Sequence, residues 1–211
     1  QAQASAASVP PEGDMAAATA MPSAPITPTA ADVAGTVRVT FPFEADTASA
    51  VFRRGDTLWM IFDTAATINQ PAQSDALSSI ASGFAVIPAG DTQIVRLDLS
   101  TSRLATLASE GRSWVLSIGD VLLNATQPID LKRSRDQLGH FQMSADLGKP
   151  FRVHSFRDPV VGDMLEVVTA FAPAHGMVRD LSYVEFDALR SVQGLVLRPD
   201  NADLAVALSD N

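Results

Sequence analysis

The sequence predicts an all-β protein: β-sandwich-like modules from repeated three-stranded meanders, with one short helix and a disordered or extended N-terminal tail. Three observations carry this prediction. Apolar and polar residues alternate in runs of strand length from residue 36 onwards. Two tryptophan-bearing hairpins of similar design follow one another along the chain. The stretch 1–35, in contrast, is rich in Ala, Pro, Ser and Thr and shows no such alternation.

The predicted tail, residues 1–35, contains no Lys or Arg and only Glu12, Asp14 and Asp32 as charged residues. It buries too little apolar surface to offset the entropy of ordering it. We therefore expect a solvated linker, or a tether that orders along a partner. The chain begins with Gln1 instead of Met, which favours a mature end left by signal-peptide cleavage. An arbitrary boundary or a fragment of a longer chain also fits.

A first folded module is predicted over residues 36–119, and it opens with a three-stranded meander. Its runs lie at residues 36–43, 50–54 and 57–63. The pair Gly55-Asp56 separates the second run from the third. Because Gly readily adopts a positive φ, this pair favours a tight hairpin turn.

The second half of this module repeats the pattern after a short helix. The helix is predicted over residues 72–81, because Pro71 suits a first helical turn and Gly83 ends it. The repeated runs follow at residues 93–99, 104–109 and 112–119. Here the predicted turn is Glu110-Gly111, so each hairpin carries its tryptophan three residues beyond its turn. The sequence therefore indicates a duplicated meander.

A second β module is predicted over residues 120–211 and is expected to continue beyond the C-terminus. Its first thirty residues or so show weak periodicity. The clearer runs lie at residues 151–156, 164–171, 183–189, 194–198 and 203–208.

Three aromatic side chains are predicted to anchor the core. Trp59 and Phe62 lie on opposite faces of a run that is apolar on both faces, and Trp114 occupies the matching place in the repeat. A strand that is apolar on both faces is typical of one buried on both sides. The alternative is that a tryptophan faces solvent and stacks on a sugar ring, and the alternation favours the core.

The composition argues against several classes of function. The chain has 15 Lys and Arg residues against 24 Asp and Glu residues, a net charge of −9. This balance argues against a general nucleic-acid binder and against electrostatic docking on anionic lipid. The absence of cysteine excludes disulfides, thiol nucleophiles and cysteine-ligated metals. No apolar run reaches the length of a membrane span, and no cofactor-binding motif is present.

Four arginines are the candidate binding residues. Arg53 and Arg54 precede the first hairpin turn, and Arg133 and Arg135 lie in a basic stretch. A guanidinium can hold a carboxylate or a phosphate through two parallel hydrogen bonds. The alternative for each is a surface ion pair of small energetic value.

Paired carboxylates are the alternative that would make the chain an enzyme, since glycoside hydrolysis needs only two of them. The candidate residues are Asp158, Asp163, Glu185 and Asp187. Acidic residues on turns and solvent faces are also where an acidic protein keeps its charge. The histidines, His140, His154 and His175, lack metal-ligand spacing, and His154 is expected on a strand surface.

Two resemblances accompany these patterns. The run Ala50-Val51-Phe52, followed by residues 58–63 (Leu-Trp-Met-Ile-Phe-Asp), resembles the central hairpin of AMIN-type domains. These are periplasmic β-sandwich modules that target envelope proteins to peptidoglycan. The order of strands also resembles the N-terminal region of alphaproteobacterial exported proteins that carry tetratricopeptide repeats. Neither resemblance implies a catalytic residue.

The leading hypothesis is a non-catalytic, periplasmic scaffold or binding module that engages a protein partner or peptidoglycan. It implies no nucleic acid and no direct membrane insertion. One alternative is a carbohydrate-active enzyme with paired carboxylates. Another is an accessory subunit of a large assembly, anchored through its tail.

Overall fold

The structure is a computed structural model that describes residues 24–72, 75–120, 126–135, 139, 141–200 and 204–209. Within these ranges the chain is almost entirely β, with one short helix, α1 (Asp75–Ser78). This confirms the predicted fold class. The strands of the first half are β1 (Thr29–Val33), β2 (Thr36–Pro42), β3 (Ser49–Arg54), β4 (Thr57–Phe62), β5 (Ala81–Ala89), β6 (Thr92–Leu99), β7 (Leu104–Glu110) and β8 (Ser113–Gly119).

The strands of the second half are shorter on average. They are β9 (Gln127–Pro128), β10 (Leu131–Arg135), β11 (Phe141–Ala145), β12 (Pro150–Arg157), β13 (Met164–Ala170), β14 (His175–Gly176), β15 (Leu181–Ser182), β16 (Phe186–Leu189), β17 (Ser191–Gln193) and β18 (Leu195–Pro199).

Two antiparallel sheets enclose the main core. One has the strand order β1-β2-β8-β7, and the other contains the order β3-β4-β6-β5. Their inner faces meet in one buried cluster that includes Phe41 from β2, Leu116 from β8 and Phe62 from β4. The rings of Phe41 and Phe62 lie 4.9 Å apart between centroids. The first half of the chain is therefore a sandwich with a single interior.

The two halves of this sandwich pair reciprocally. The hairpins β3-β4 and β7-β8 form as the sequence predicts. The strand upstream of each hairpin, however, does not join its own unit. Instead β2 pairs with β8, and β6 pairs with β4. The predicted local meanders are therefore wrong in their upstream strand. The hairpin β3-β4 lies in one sheet, and the hairpin β7-β8 lies in the other.

The register shows that the repeat is 56 residues long and contains four strands. A shift of 56 carries the hairpin pair Met60–Val51 onto Leu116–Leu107. The same shift carries the hairpin β1-β2 onto β5-β6. The two turns at Gly55 and Gly111 also match, with φ of 59° and 61°. The duplication is therefore larger than the predicted one, since it includes β1 and β5.

The two tryptophans are not equivalent in this duplication. The shift that matches the hairpins places Trp114 opposite Leu58, and Trp59 opposite Val115. Matching the two tryptophans predicts the second turn one residue too early, at Glu110-Gly111, whereas β7 extends through Glu110. Because side chains alternate between faces, this single step changes the face. Trp114 points into the sandwich, and Trp59 points away from it.

The second half of the chain covers the face on which Trp59 lies. Phe156 from β12 packs edge-on against Trp59, with centroids 4.9 Å apart. Leu165 and Val167 from β13 complete this second cluster. Strands β13 and β17 also pair with β3, so strands of the second half extend the sheet that contains β3 and β4. Trp59, Trp114 and Phe62 are all buried.

Three segments differ from the sequence prediction. Residues 29–33, within the predicted tail, form β1, because Ala30 reaches the core and the backbone pairs with β2; residues 1–23 lie outside the described part. The helix is shorter than 72–81, since residues from Ala81 join β5. Residues 204–208 are not a strand: Leu204 and Val206 pack on the core without a ladder partner.

We expect Met60→Ala and Leu116→Ala each to lower the free energy of unfolding by about 3 kcal/mol. Both side chains are fully buried in the cluster that the two sheets share. Chemical denaturation, followed by circular dichroism and by tryptophan fluorescence, should give one coincident transition for each variant. Val184→Ala, at a side chain that is 96% exposed, is the control and should change stability by less than about 0.5 kcal/mol. Separate transitions for the two sheets would contradict the shared core.

Candidate functional site

The four predicted binding arginines lie in two different settings. Arg53 and Arg54 end β3, beside the layer that β12 and β13 form. Arg133 and Arg135 lie on β10, which belongs to a separate two-stranded sheet. The structure does not bring the two pairs into one site.

Arg53 forms hydrogen bonds to other residues of the chain. Its guanidinium donates to the hydroxyl of Ser102, at 3.0 Å, and to the carbonyl oxygen of Arg103, at 2.5 Å. Burial lowers the pKa of Arg53, while Asp56 opposes that shift and Arg190 adds to it. These contacts tie the end of β3 to the segment before β7.

Arg54 is paired with two carboxylates. Its Nε lies 3.1 Å from Asp158 and its terminal nitrogen 2.6 Å from Asp163. The Asp158 side chain is only 1% exposed, and it also accepts hydrogen bonds from the amides of Val160 and Val161. Burial alone would raise the pKa of Asp158, but these amides and Arg54 together hold it below its usual value. Arg54 therefore fixes the loop between β12 and β13.

Strands β10 and β11 form a basic ribbon, which we define by Lys132, Arg133, Arg135 and Phe141. The two strands carry these three cations and no acidic residue. The guanidinium carbon of Arg133 lies 3.7 Å from the centroid of the Phe141 ring, and that of Arg135 lies 4.2 Å away. The ring itself is 57% exposed. Two arginines thus stack on one aromatic ring at the protein surface.

Alternation along the ribbon explains this arrangement. Arg133 pairs with Met143 and Arg135 with Phe141, so these four side chains share a face. Toward the base, Leu131 and Met143 pack on the buried cluster of the second half. Toward the tip, that same face carries the two guanidiniums and the phenyl ring. The apolar end anchors the ribbon, and the cationic end extends from it.

The ribbon arginines have no carboxylate partner among the residues that the structure describes. Arg54, by contrast, is paired with two carboxylates. A stacked guanidinium keeps its in-plane N–H groups available, so it can still bind an oxyanion. Arg133 and Arg135 therefore stay candidates for binding, whereas Arg53 and Arg54 have partners within the fold.

Three of the four candidate carboxylates have internal partners. Asp187 pairs with Arg198, and Asp158 and Asp163 share Arg54, while Glu185 lies on the surface. Carboxylates held in this way are poorly placed to exchange a proton with a substrate. The described residues contain no group of three or more His, Asp or Glu side chains that could hold a metal ion.

Sequence reasoning missed one buried polar network. The carboxylate of Asp63 is 1% exposed and accepts hydrogen bonds from His154 Nε2, at 2.9 Å, and from Thr169. The sequence predicts His154 on a strand surface, but its side chain is only 18% exposed. The network joins the end of β4 to β12 and β13. His140 lies outside the described residues.

Two grooves lie away from the ribbon, with volumes of about 640 and 440 Å³. The larger is lined by Glu44, Asp46, Arg112 and Lys149, among others, and the smaller adjoins Arg53 and Arg54. Both present charges of mixed sign, whereas the ribbon is purely cationic. In the part of the chain that the structure describes, no helix is long and apolar enough to cross a membrane.

Comparison with known proteins finds no matching family model, no matching curated protein and no matching solved structure.

We expect Asp158→Ala to lower the free energy of unfolding at neutral pH by about 3 kcal/mol, because it removes one partner of a buried ion pair. The folded-state pKa of Asp158 is depressed, so its stabilising effect is present above the unfolded pKa, near 4. That effect is lost as the pH falls through the lower, folded pKa. Denaturation of both proteins at several pH values measures this, and a stability difference that is unchanged in strong acid would contradict the assignment.

Proposed function

We propose that the protein is a non-catalytic binding or scaffold module of the bacterial cell envelope, which engages an anionic partner through the basic ribbon. The partner is a protein or peptidoglycan. The observation that carries the proposal is the exposed stack of Arg133, Phe141 and Arg135, in which neither guanidinium has a carboxylate partner among the described residues.

The charge of the rest of the molecule supports this proposal. The chain carries a net charge of −9, so a long polyanion would meet repulsion over most of the surface. A local group of three cations attracts a short anionic segment. Physiological salt screens charges beyond about 8 Å, so the acidic residues elsewhere on the surface repel such a segment little. The ribbon thus favours a small or local anionic feature.

Contacts between the layers of the fold support a scaffold role. Arg53, Arg54 and Asp63 all form contacts between layers of the fold. A site held on such a rigid support loses little conformational entropy on binding. The ribbon is anchored at its base by Leu131 and Met143, which places its arginines at a defined position on that support.

The proposed compartment and partner also rest on sequence patterns. The tail composition favours export, and the resemblance to AMIN-type domains implies the periplasm and peptidoglycan. Peptidoglycan carries free carboxylates on its peptide stems, which are suitable acceptors for a guanidinium. An acidic segment of an envelope protein offers the same chemical group.

We expect the protein to co-sediment with purified sacculi, or to cross-link to an envelope protein, in a way that depends on the ribbon. The variant Arg133→Ala/Arg135→Ala should reduce this binding by at least about a hundredfold, since it removes two charge-assisted hydrogen bonds that contribute roughly 1.5–3 kcal/mol each. Binding should also weaken as salt is raised. Co-sedimentation and cross-linking yields measure the effect.

The matched control is Arg179→Ala/Arg190→Ala, which removes the same charge from two other exposed arginines. It should bind like the unsubstituted protein. Equal losses in both double variants would indicate a net-charge effect and contradict a ribbon site. Binding to neither sacculi nor an envelope protein would refute the proposal altogether.

A further inference from the structure

We infer that the partner of the basic ribbon is an extended protein segment with acidic side chains at positions i and i+2, which adds as a third strand along β10. The inference rests on the proposed function, and it narrows the anionic partner to a protein strand of one pattern. It follows from the free edge of the ribbon, the spacing of its arginines and the stacking on Phe141.

The outer edge of β10 is unpaired among the described residues. The ribbon is a two-stranded sheet in which β10 pairs only with β11. No described residue outside the ribbon forms a backbone hydrogen bond with residues 131–135. Such an edge presents N–H and C=O groups that an extended peptide can pair with.

The spacing of the arginines selects the pattern of the partner. Arg133 and Arg135 are two residues apart on one face of β10, which places them roughly 6.6 Å apart along the strand. In an added strand, the side chains directly across from them are also two residues apart. An acidic residue, any residue and a second acidic residue would therefore place two carboxylates on the face of the ribbon that carries both arginines.

Stacking on Phe141 restricts the conformations of both guanidiniums before the partner binds. The ring lies 3.7 Å from one guanidinium carbon and 4.2 Å from the other. Arginine otherwise loses considerable rotamer freedom when it is fixed in a contact. Contact with the ring restricts that freedom in advance, and preorganisation of this kind increases affinity.

The same cations disfavour a second copy of the ribbon as the partner. A copy added along β10 in the antiparallel register that pairs Arg133 with Arg135 would bring like charges directly across the sheet, which is destabilising. Basic side chains on an edge strand are a common protection against self-pairing. Acidic side chains on the added strand convert that repulsion into attraction.

The test uses two short peptides of identical composition, added to the full chain. One has two glutamates separated by a single residue between threonines and valines, and the other has the two glutamates adjacent. We expect the separated pattern to bind about tenfold more tightly, since in the adjacent pattern one carboxylate points to the opposite face. Titration calorimetry measures the two dissociation constants.

Two protein variants and one structural measurement sharpen this test. Phe141→Leu keeps an apolar side chain but removes the stack, and Arg135→Lys keeps the charge but removes the planar fork. Both should reduce binding of the separated pattern severalfold, whereas Arg179→Ala/Arg190→Ala should leave it unchanged. Amide hydrogen exchange should slow at residues 131–135 when the peptide with separated glutamates is bound.

The outcomes separate the inference from the proposed function. Equal affinity for both peptides, or binding without protection of residues 131–135, would overturn the strand-addition inference. If sacculus binding still required Arg133 and Arg135, the proposed function would stand without it. If the double variant Arg133→Ala/Arg135→Ala altered neither sacculus nor peptide binding, both would fail.

Discussion

The reciprocal pairing of β2 with β8 and of β6 with β4 is the constraint on which the rest of the structure depends. Each sheet of the sandwich contains strands from both copies of the repeat, so neither copy can bury its apolar face alone. The shared cluster around Phe41, Phe62 and Leu116 therefore forms only when residues far apart in the chain meet. Non-local pairing of this kind costs loop-closure entropy, which the burial of one continuous core offsets.

The outer layers build on this central sandwich. Strand β4 is apolar on both faces, so it contributes Met60 to the sandwich and Trp59 to the cluster beneath β12 and β13. Polar contacts then fix the added layer: Arg54 holds the loop after β12, and Asp63 binds His154. The basic ribbon lies outside these layers and is attached by its base. The fold thus separates its structural arginines from the exposed ones.

Local patterns in the sequence predict the hairpins of this fold. They do not predict which distant strands pair. Alternation and the turns at Gly55 and Gly111 predicted both hairpins. Alternation cannot predict that β2 pairs with β8, because an alternating strand matches any other strand of similar length. Matching Trp59 to Trp114 shifted the repeat by one residue and changed the assigned face. Residue type alone makes all four arginines candidates, and only the contacts of Arg53 and Arg54 distinguish these two from Arg133 and Arg135. The sequence does not predict the role of Phe141, because its ring meets Arg133 and Arg135 only through the pairing of β10 with β11.

Cysteine cross-linking tests the reciprocal pairing most directly, because the chain contains no cysteine of its own. Arg38 faces Ser117 across β2 and β8, and Thr57 faces Asp98 across β4 and β6. Residues opposite each other in an antiparallel sheet lie about 4.5–5.5 Å apart between Cα atoms, within the range of a disulfide. The double variants Arg38→Cys/Ser117→Cys and Thr57→Cys/Asp98→Cys should each form an intramolecular disulfide in the folded monomer on mild oxidation. Failure of both folded double variants to cross-link within the monomer would contradict the reciprocal pairing.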